Sequence, residues 1–141
     1  MVFTSHSEEE TQKLGKKIGK KLPTGSILLL KGNLGSGKTT FLKGLAKELG
    51  IKKSLRSPTF NLMRVYHLKK NSRIKSFIHL DCYRIKNLQE IIEIGLFDYL
   101  DEKQTLAAIE WPEKIATQLK KYKTKKILFK VLSENKRKIS Y

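Results

Sequence analysis

A chain of 141 residues with a formal charge of +17, 39% hydrophobic and 30% charged residues suits one compact domain, 1–141, with a hydrophobic core of its own. No apolar run exceeds Ile27-Leu28-Leu29-Leu30, far short of a bilayer span, and Met1 to Ser7 has no basic stretch followed by an apolar one, so neither a membrane helix nor a secretory leader is expected. The single cysteine, Cys82, excludes an intrachain disulfide and a cysteine-built zinc site and fits a reducing cytoplasm.

Ser7-Glu8-Glu9-Glu10 has the spacing of a capping box, with Ser7 capping and Glu10 reaching back. It opens a helix with Leu14, Ile18 and Leu22 on one face, ending near Pro23-Thr24-Gly25. Ser26 to Lys31 is a short buried strand that runs directly into Gly32. A helix follows, with Phe41, Leu42, Leu45, Ala46 and Leu49 inward and Gly50 as its stop. Thr59 to Leu68 and Ile74 to Leu80 form a hairpin around Lys69-Lys70-Asn71-Ser72. A second box, Asn87-Leu88-Gln89-Glu90, opens a helix to about Ile94, and a helical piece follows around Phe97 to Leu100. Thr105 to Ile109 is a buried strand, Pro112 to Leu119 a helix, and Lys125 to Leu132 and Arg137 to Tyr141 are strands joined at Ser133-Glu134-Asn135. Hairpins beside buried strands that need crossovers predict an α/β fold with a mixed central sheet flanked by helices.

The segment Gly32-Asn33-Leu34-Gly35-Ser36-Gly37-Lys38-Thr39 has the Walker A spacing Gly-x-x-x-x-Gly-Lys-Thr between that strand and that helix. The pattern predicts a P-loop ATPase domain that binds Mg²⁺·ATP. Gly35 and Gly37 permit backbone angles closed to other residues, and successive N–H groups then cradle the β-phosphate at the helix N-terminus. Lys38 places its charge on the β- and γ-phosphates, and Thr39 offers a hydroxyl to Mg²⁺. Asn33, Leu34 and Ser36 contribute mainly backbone, and Thr40 continues the loop into the helix. The metal also needs a carboxylate at the end of a neighbouring strand. Glu110, after the apolar Leu106-Ala107-Ala108-Ile109, is assigned to the metal; Asp81, after Phe77-Ile78-His79-Leu80, is assigned to the attacking water or the metal's outer shell. His79 shares a strand face with Asp81 and is expected to be a buried, hydrogen-bonded histidine. Arg84 either approaches developing γ-phosphate charge or pairs with a carboxylate, Thr59 lies in a loop that could reach the γ-phosphate, and Trp111 is expected in the core or at an interface.

These residues, with Ser57-Pro58-Thr59-Phe60, His79-Leu80-Asp81-Cys82-Tyr83-Arg84, Glu93-Ile94-Gly95-Leu96 with Asp98, and Glu110-Trp111-Pro112-Glu113 in order, resemble the bacterial TsaE family. That family is the ATPase of tRNA threonylcarbamoyladenosine (t⁶A) biosynthesis. The likeness spans about Ser7 to Glu113. It implies a cytoplasmic ATPase, weak alone, that acts with the TsaD–TsaB pair and touches tRNA indirectly. It also implies that Thr39 and Glu110 hold Mg²⁺, that Asp81 serves hydrolysis, and that Thr11 lies on the adenine side. Asn33 stands where an acid is common and Ser36 where alanine is common, both at positions that act through backbone.

Three other readings compete with this one. A small-molecule or nucleoside kinase needs an arginine-bearing lid, but the 5 arginines here (Arg56, Arg64, Arg73, Arg84, Arg137) are scattered. A GTPase needs Asn-Lys-x-Asp, and Asn135-Lys136-Arg137-Lys138 lacks the acid. A basic RNA-binding module has the charge in its favour, but the remaining 25 of the 30 cations are lysines, a composition expected of solvated faces more than of a phosphate-reading surface. Lys120 to Lys138, with Glu134 its only acid, is the first candidate if any patch touches RNA.

Overall fold

The computed structural model describes residues 1–53, 55, 62–69 and 72–141. In chain order the elements are β1 (Val2–Ser5), α1 (Glu8–Lys21), β2 (Ile27–Lys31), α2 (Lys38–Glu48), β3 (Met63–His67), β4 (Ser76–Asp81), α3 (Leu88–Glu93), α4 (Leu96–Asp101), β5 (Thr105–Glu110), a 3₁₀ turn (Pro112–Ile115), α5 (Ala116–Leu119), β6 (Thr124–Val131) and β7 (Arg137–Ser140). The strands hydrogen-bond in the order β1-β7-β6-β2-β5-β4-β3. β4 and β5 are parallel, whereas β1–β7, β6–β7 and β3–β4 are antiparallel. The mixed α/β sheet with flanking helices is as expected. The chain divides into two compact units, Met1–Leu22 with Leu30–Ser57 and Lys126–Tyr141, and Pro23–Leu29 with Pro58–Lys125.

In the first unit, α1 begins where Ser7 Oγ accepts the Glu10 N–H at 3.2 Å. The reciprocal bond differs from the expected box: the Glu10 carboxylate accepts from His6 N–H at 2.8 Å, one residue before the cap. Besides Leu14, the helix buries Thr11, Gly15 and Gly19, a face of small residues that lets α1 lie close on α2. The contact is nearly backbone to backbone: a Cβ on Gly15 would stand 2.1 Å from the Phe41 carbonyl oxygen, and one on Gly44 1.9 Å from that of Gln12. Phe41 packs its edge on Phe129 of β6, ring centroids 5.6 Å apart. β1 was not expected from sequence. Four residues with exposed Val2 and Thr4 have weak periodicity, and only pairing with β7 (Phe3 with Ile139, Ser5 with Arg137) makes them a strand.

In the second unit, the hairpin forms as expected, Met63 opposite Leu80 and His67 opposite Ser76. Described strand structure starts at Met63; residues 56–61 and 70–71, which include the expected strand start at Thr59 and part of the expected turn, lie outside the described residues. Asn87 Oδ1 accepts Glu90 N–H and Glu90 reaches back to Asn87 N–H, so the second box is complete. Gly95, at φ +74°, turns the chain between α3 and α4 so that Ile91, Leu96 and Leu100 enter one core with Ile78, Leu80, Ile109 and Leu119. Pro112 to Leu119 is a 3₁₀ turn followed by one α turn rather than one helix.

Candidate functional site

The first unit builds the glycine-rich loop. A Cβ on Gly32 would stand 2.6 Å from the Phe129 carbonyl oxygen and 2.7 Å from Ser36 Oγ, so the loop can leave the sheet only at a glycine. Gly37, at φ +101°, is the N-cap of α2. The helix thus starts without a capping side chain and with no acid in its first turn, and the first-turn N–H groups of Lys38, Thr39 and Thr40 have no intrahelical acceptor. Lys38 Nζ folds over the loop and donates to the carbonyls of Gly32 (2.7 Å) and Asn33 (3.0 Å), with the residue 5% exposed. Ser36 N–H closes the turn on Asn33 O at 3.1 Å. Its hydroxyl is buried without a hydrogen-bond partner, a polar atom that a purely structural turn would not favour. Asn33, Leu34 and Gly35 are exposed, Thr39 and Thr40 half-buried.

Thr11 abuts this loop. Its methyl is 3.8 Å from where a Gly37 Cβ would stand, while its hydroxyl meets Ser5 Oγ at 2.7 Å and donates to Ser7 O at 3.2 Å. Sequence reasoning missed Arg137. Its guanidinium donates to Ser133 O (3.1 Å) and Glu134 O (2.6 Å) and reaches Gly35 O at 3.5 Å. An arginine in so lysine-rich a chain was the available signal, since a guanidinium holds five N–H donors in a fixed planar fork.

The second unit gathers the acids. β4 and β5 run parallel in register, so Asp81 stands beside Glu110 at their carboxyl ends, the edge where open α/β sheets place their chemistry. Glu110 is 3% exposed and His79 fully buried. His79 Nε2 lies 2.8 Å from Glu110 Oε1; an ionised carboxylate makes Nε2–H the donor, and Nδ1 has no partner. The expected buried histidine is there, but it serves Glu110 and not its strand neighbour Asp81. Half-buried Asp81 accepts the Tyr83 N–H at 2.9 Å, which fixes the turn that presents exposed Arg84. Lys114, also missed, ties the two strand-end loops together by donating to Tyr83 O (2.6 Å) and Ile85 O (2.9 Å). Trp111 tilts against Tyr83 with centroids 5.0 Å apart. It is the one non-glycine among the described residues with positive φ, +54°, a conformation costing about 1 kcal/mol or more. Thr59 lies outside the described residues. Among those described, no three His, Cys, Asp or Glu side chains cluster as a metal cage.

Two outcomes follow from this edge. Removing the donor in His79→Leu leaves the Glu110 carboxylate buried and unpaired, with an expected loss of about 2–3 kcal/mol in urea unfolding; a loss below about 0.5 kcal/mol would show that the carboxylate does not depend on His79. Burial, with the negative Asp81 beside it, pushes the Cys82 thiol up to about 12. The neutral thiol is therefore favoured in the folded state, a contribution present below the unfolded thiol's range of about 8.5 and lost as pH rises from there toward 12. Iodoacetamide at pH 8 should label Cys82 quickly in urea and at least about a hundredfold more slowly without it; equal rates would contradict the buried placement.

A mixed α/β sheet in which a buried strand passes to a helix through Gly-x-x-x-x-Gly-Lys-Thr is the architecture of the P-loop class. Within it, the chain belongs to the TsaE family. The family's sequence model, described as threonylcarbamoyl adenosine biosynthesis protein TsaE, matches residues 5–139. A tRNA threonylcarbamoyladenosine biosynthesis protein TsaE of Treponema pallidum is 38% identical over 140 residues, 99% of this chain and 98% of the relative. A protein of the same name from Borreliella burgdorferi is 35% identical over 136 residues, 96% of each. The crystal structure of YdiB from Bacillus subtilis is similar with a TM-score of 0.79 at 28% identity, covering 99% of this chain and 82% of YdiB. No helix among the described residues is long and apolar enough to cross a membrane.

Proposed function

We propose that this chain is a Mg²⁺-dependent ATPase of tRNA t⁶A biosynthesis, slow alone and acting in the cytoplasm with TsaD- and TsaB-type proteins. The carrying observation is Lys38, an ammonium held 2.7 and 3.0 Å from two loop carbonyls at the start of a helix with no capping side chain and no acid in its first turn. Such a nest of N–H dipoles beside a fixed cation suits a polyphosphate better than any neutral ligand, and the buried, unpartnered Ser36 hydroxyl is consistent with a ligand-facing loop.

In this reading, Gly35, Ser36, Gly37, Lys38, Thr39 and Thr40 bind the phosphates, with Asn33 and Leu34 shaping the turn and Thr11 on the adenine side. Thr39 and Glu110 hold Mg²⁺, whose charge would offset that developing on the phosphate oxygens. His79 keeps one Glu110 oxygen in place, and Asp81 orients water or the metal's outer shell. Glu110→Ala is expected to lower ATP turnover at least about a hundredfold while changing ATP affinity less than about tenfold; an unchanged turnover would remove Glu110 from the site. The role itself is tested by adding TsaD–TsaB: phosphate release should rise above that of the protein alone. No rise would reject the partnership, and phosphate transferred to an added nucleoside would favour a kinase.

A further inference from the structure

The strands β1, β7 and β6 leave one sheet face in solvent. Register aligns Thr4, Lys138 and Lys130 in one row and Val2, Ser140 and Leu128 in the next, while the opposite face buries Ser5, Ile139, Ile127 and Phe129. Lys126, two residues before Leu128, is exposed on the same face as Lys130 and Lys138. Two lysines directly opposite each other on an antiparallel pair repel and weaken it. No ion pair with an acid offsets this arrangement among the described residues, and between Lys120 and Lys138 the only acid is Glu134, in the β6–β7 turn. The fold itself gains nothing from cations at these positions.

We propose that this face binds the phosphate backbone of a structured RNA, through Lys126, Lys130 and Lys138. The chemistry favours RNA over a protein partner. Lysine is depleted at protein–protein interfaces, where aromatic residues and arginine carry the contact, and the two rows hold neither. The lack of an aromatic also argues against stacking on unpaired bases, leaving contact with the backbone of a helical region, where mobile ammonium groups neutralise phosphates and release counterions. Lys126 and Lys130 are four residues apart, about 13 Å along an extended strand, and Lys138 widens the row across the sheet. Binding here requires no nucleotide, so it stands or falls separately from the ATPase reading.

The test is binding of an unmodified tRNA transcript to the full chain, followed by fluorescence anisotropy between about 50 and 200 mM salt. K126Q/K130Q/K138Q is compared with K16Q/K17Q/K20Q, which removes the same charge from exposed positions on α1. The sheet variant is expected to bind at least about tenfold more weakly and to lose about 2–3 from the salt slope, with the α1 variant within about twofold of the parent. Its melting temperature should equal or exceed the parent's, because a like-charge pair has gone. Lys130→Gln alone should lower the slope by about one, which provides the same reading if the triple variant folds poorly. Equal losses in both triple variants would mean diffuse attraction and overturn the proposal, as would no loss in either. Unchanged tRNA binding with weakened capture of TsaD–TsaB would assign the face to a protein instead.

Discussion

Lys38→Ala should weaken Mg²⁺·ATP binding by at least about a hundredfold, some 3 kcal/mol or more. The ammonium is nearly enclosed, 5% exposed, and is held by Gly32 O and Asn33 O, so its position is set before any ligand arrives. A preorganised charge of that kind loses little on binding, whereas a surface lysine must first be immobilised. Lys38→Arg should not restore affinity, since a planar guanidinium is too broad for a pocket fitted to a compact ammonium. Calorimetric titration gives the affinities, and a melting curve on each variant separates a lost site from a lost fold. Equal affinity in the parent and Lys38→Ala would reject the loop as the nucleotide site.

Gly44→Ala should be strongly destabilising, by about 3 kcal/mol or more, with a fall in melting temperature of roughly 10 °C. At an ordinary helix-interior position the same change stabilises by about 1 kcal/mol through helix propensity. Here the added methyl would stand 1.9 Å from the Gln12 carbonyl oxygen, and the main chain of α1 has no rotamer with which to move aside. The helices must part, and Thr11, whose methyl lies 3.8 Å from the Gly37 Cβ position, moves off the loop with α1. Gly19→Ala is the matched control: its Cβ would meet only side-chain atoms, Leu45 Cγ at 3.4 Å and Glu48 Cβ at 3.5 Å, so little loss is expected. Thermal denaturation of both variants decides the matter, and a Gly44→Ala protein as stable as Gly19→Ala would show that α1 and α2 do not approach this closely.

Local signals were legible where the physics is local. The Asn87 box needs only residues three apart, and the loop from Gly32 to Thr39 needs only glycines placed where the backbone takes a positive φ and a lysine one residue after the last of them. The apolar β4 and β5 announce themselves by composition, and each ends in its acid. Other features depend on groups far apart in sequence. Val2 to Ser5 is a strand only because Arg137 to Ser140 pairs with it. His79 turns to Glu110 because parallel register brings β5 alongside β4, and nothing within Phe77 to Asp81 specifies that partner.

From sequence alone, then, came the α/β class, the loop with its Lys38 and Thr39, and the identity of the two strand-end acids, because hydrophobic period, glycine stereochemistry and capping act over a few residues. Only the tertiary structure decided that Gly15 and Gly44 are points of helix contact, that Arg137 and Lys114 hold loops through their carbonyls, and that Lys130 stands opposite Lys138. Each of these depends on register and close approach between distant segments, which are set when the sheet and helices pack together and leave no mark within a local window of sequence.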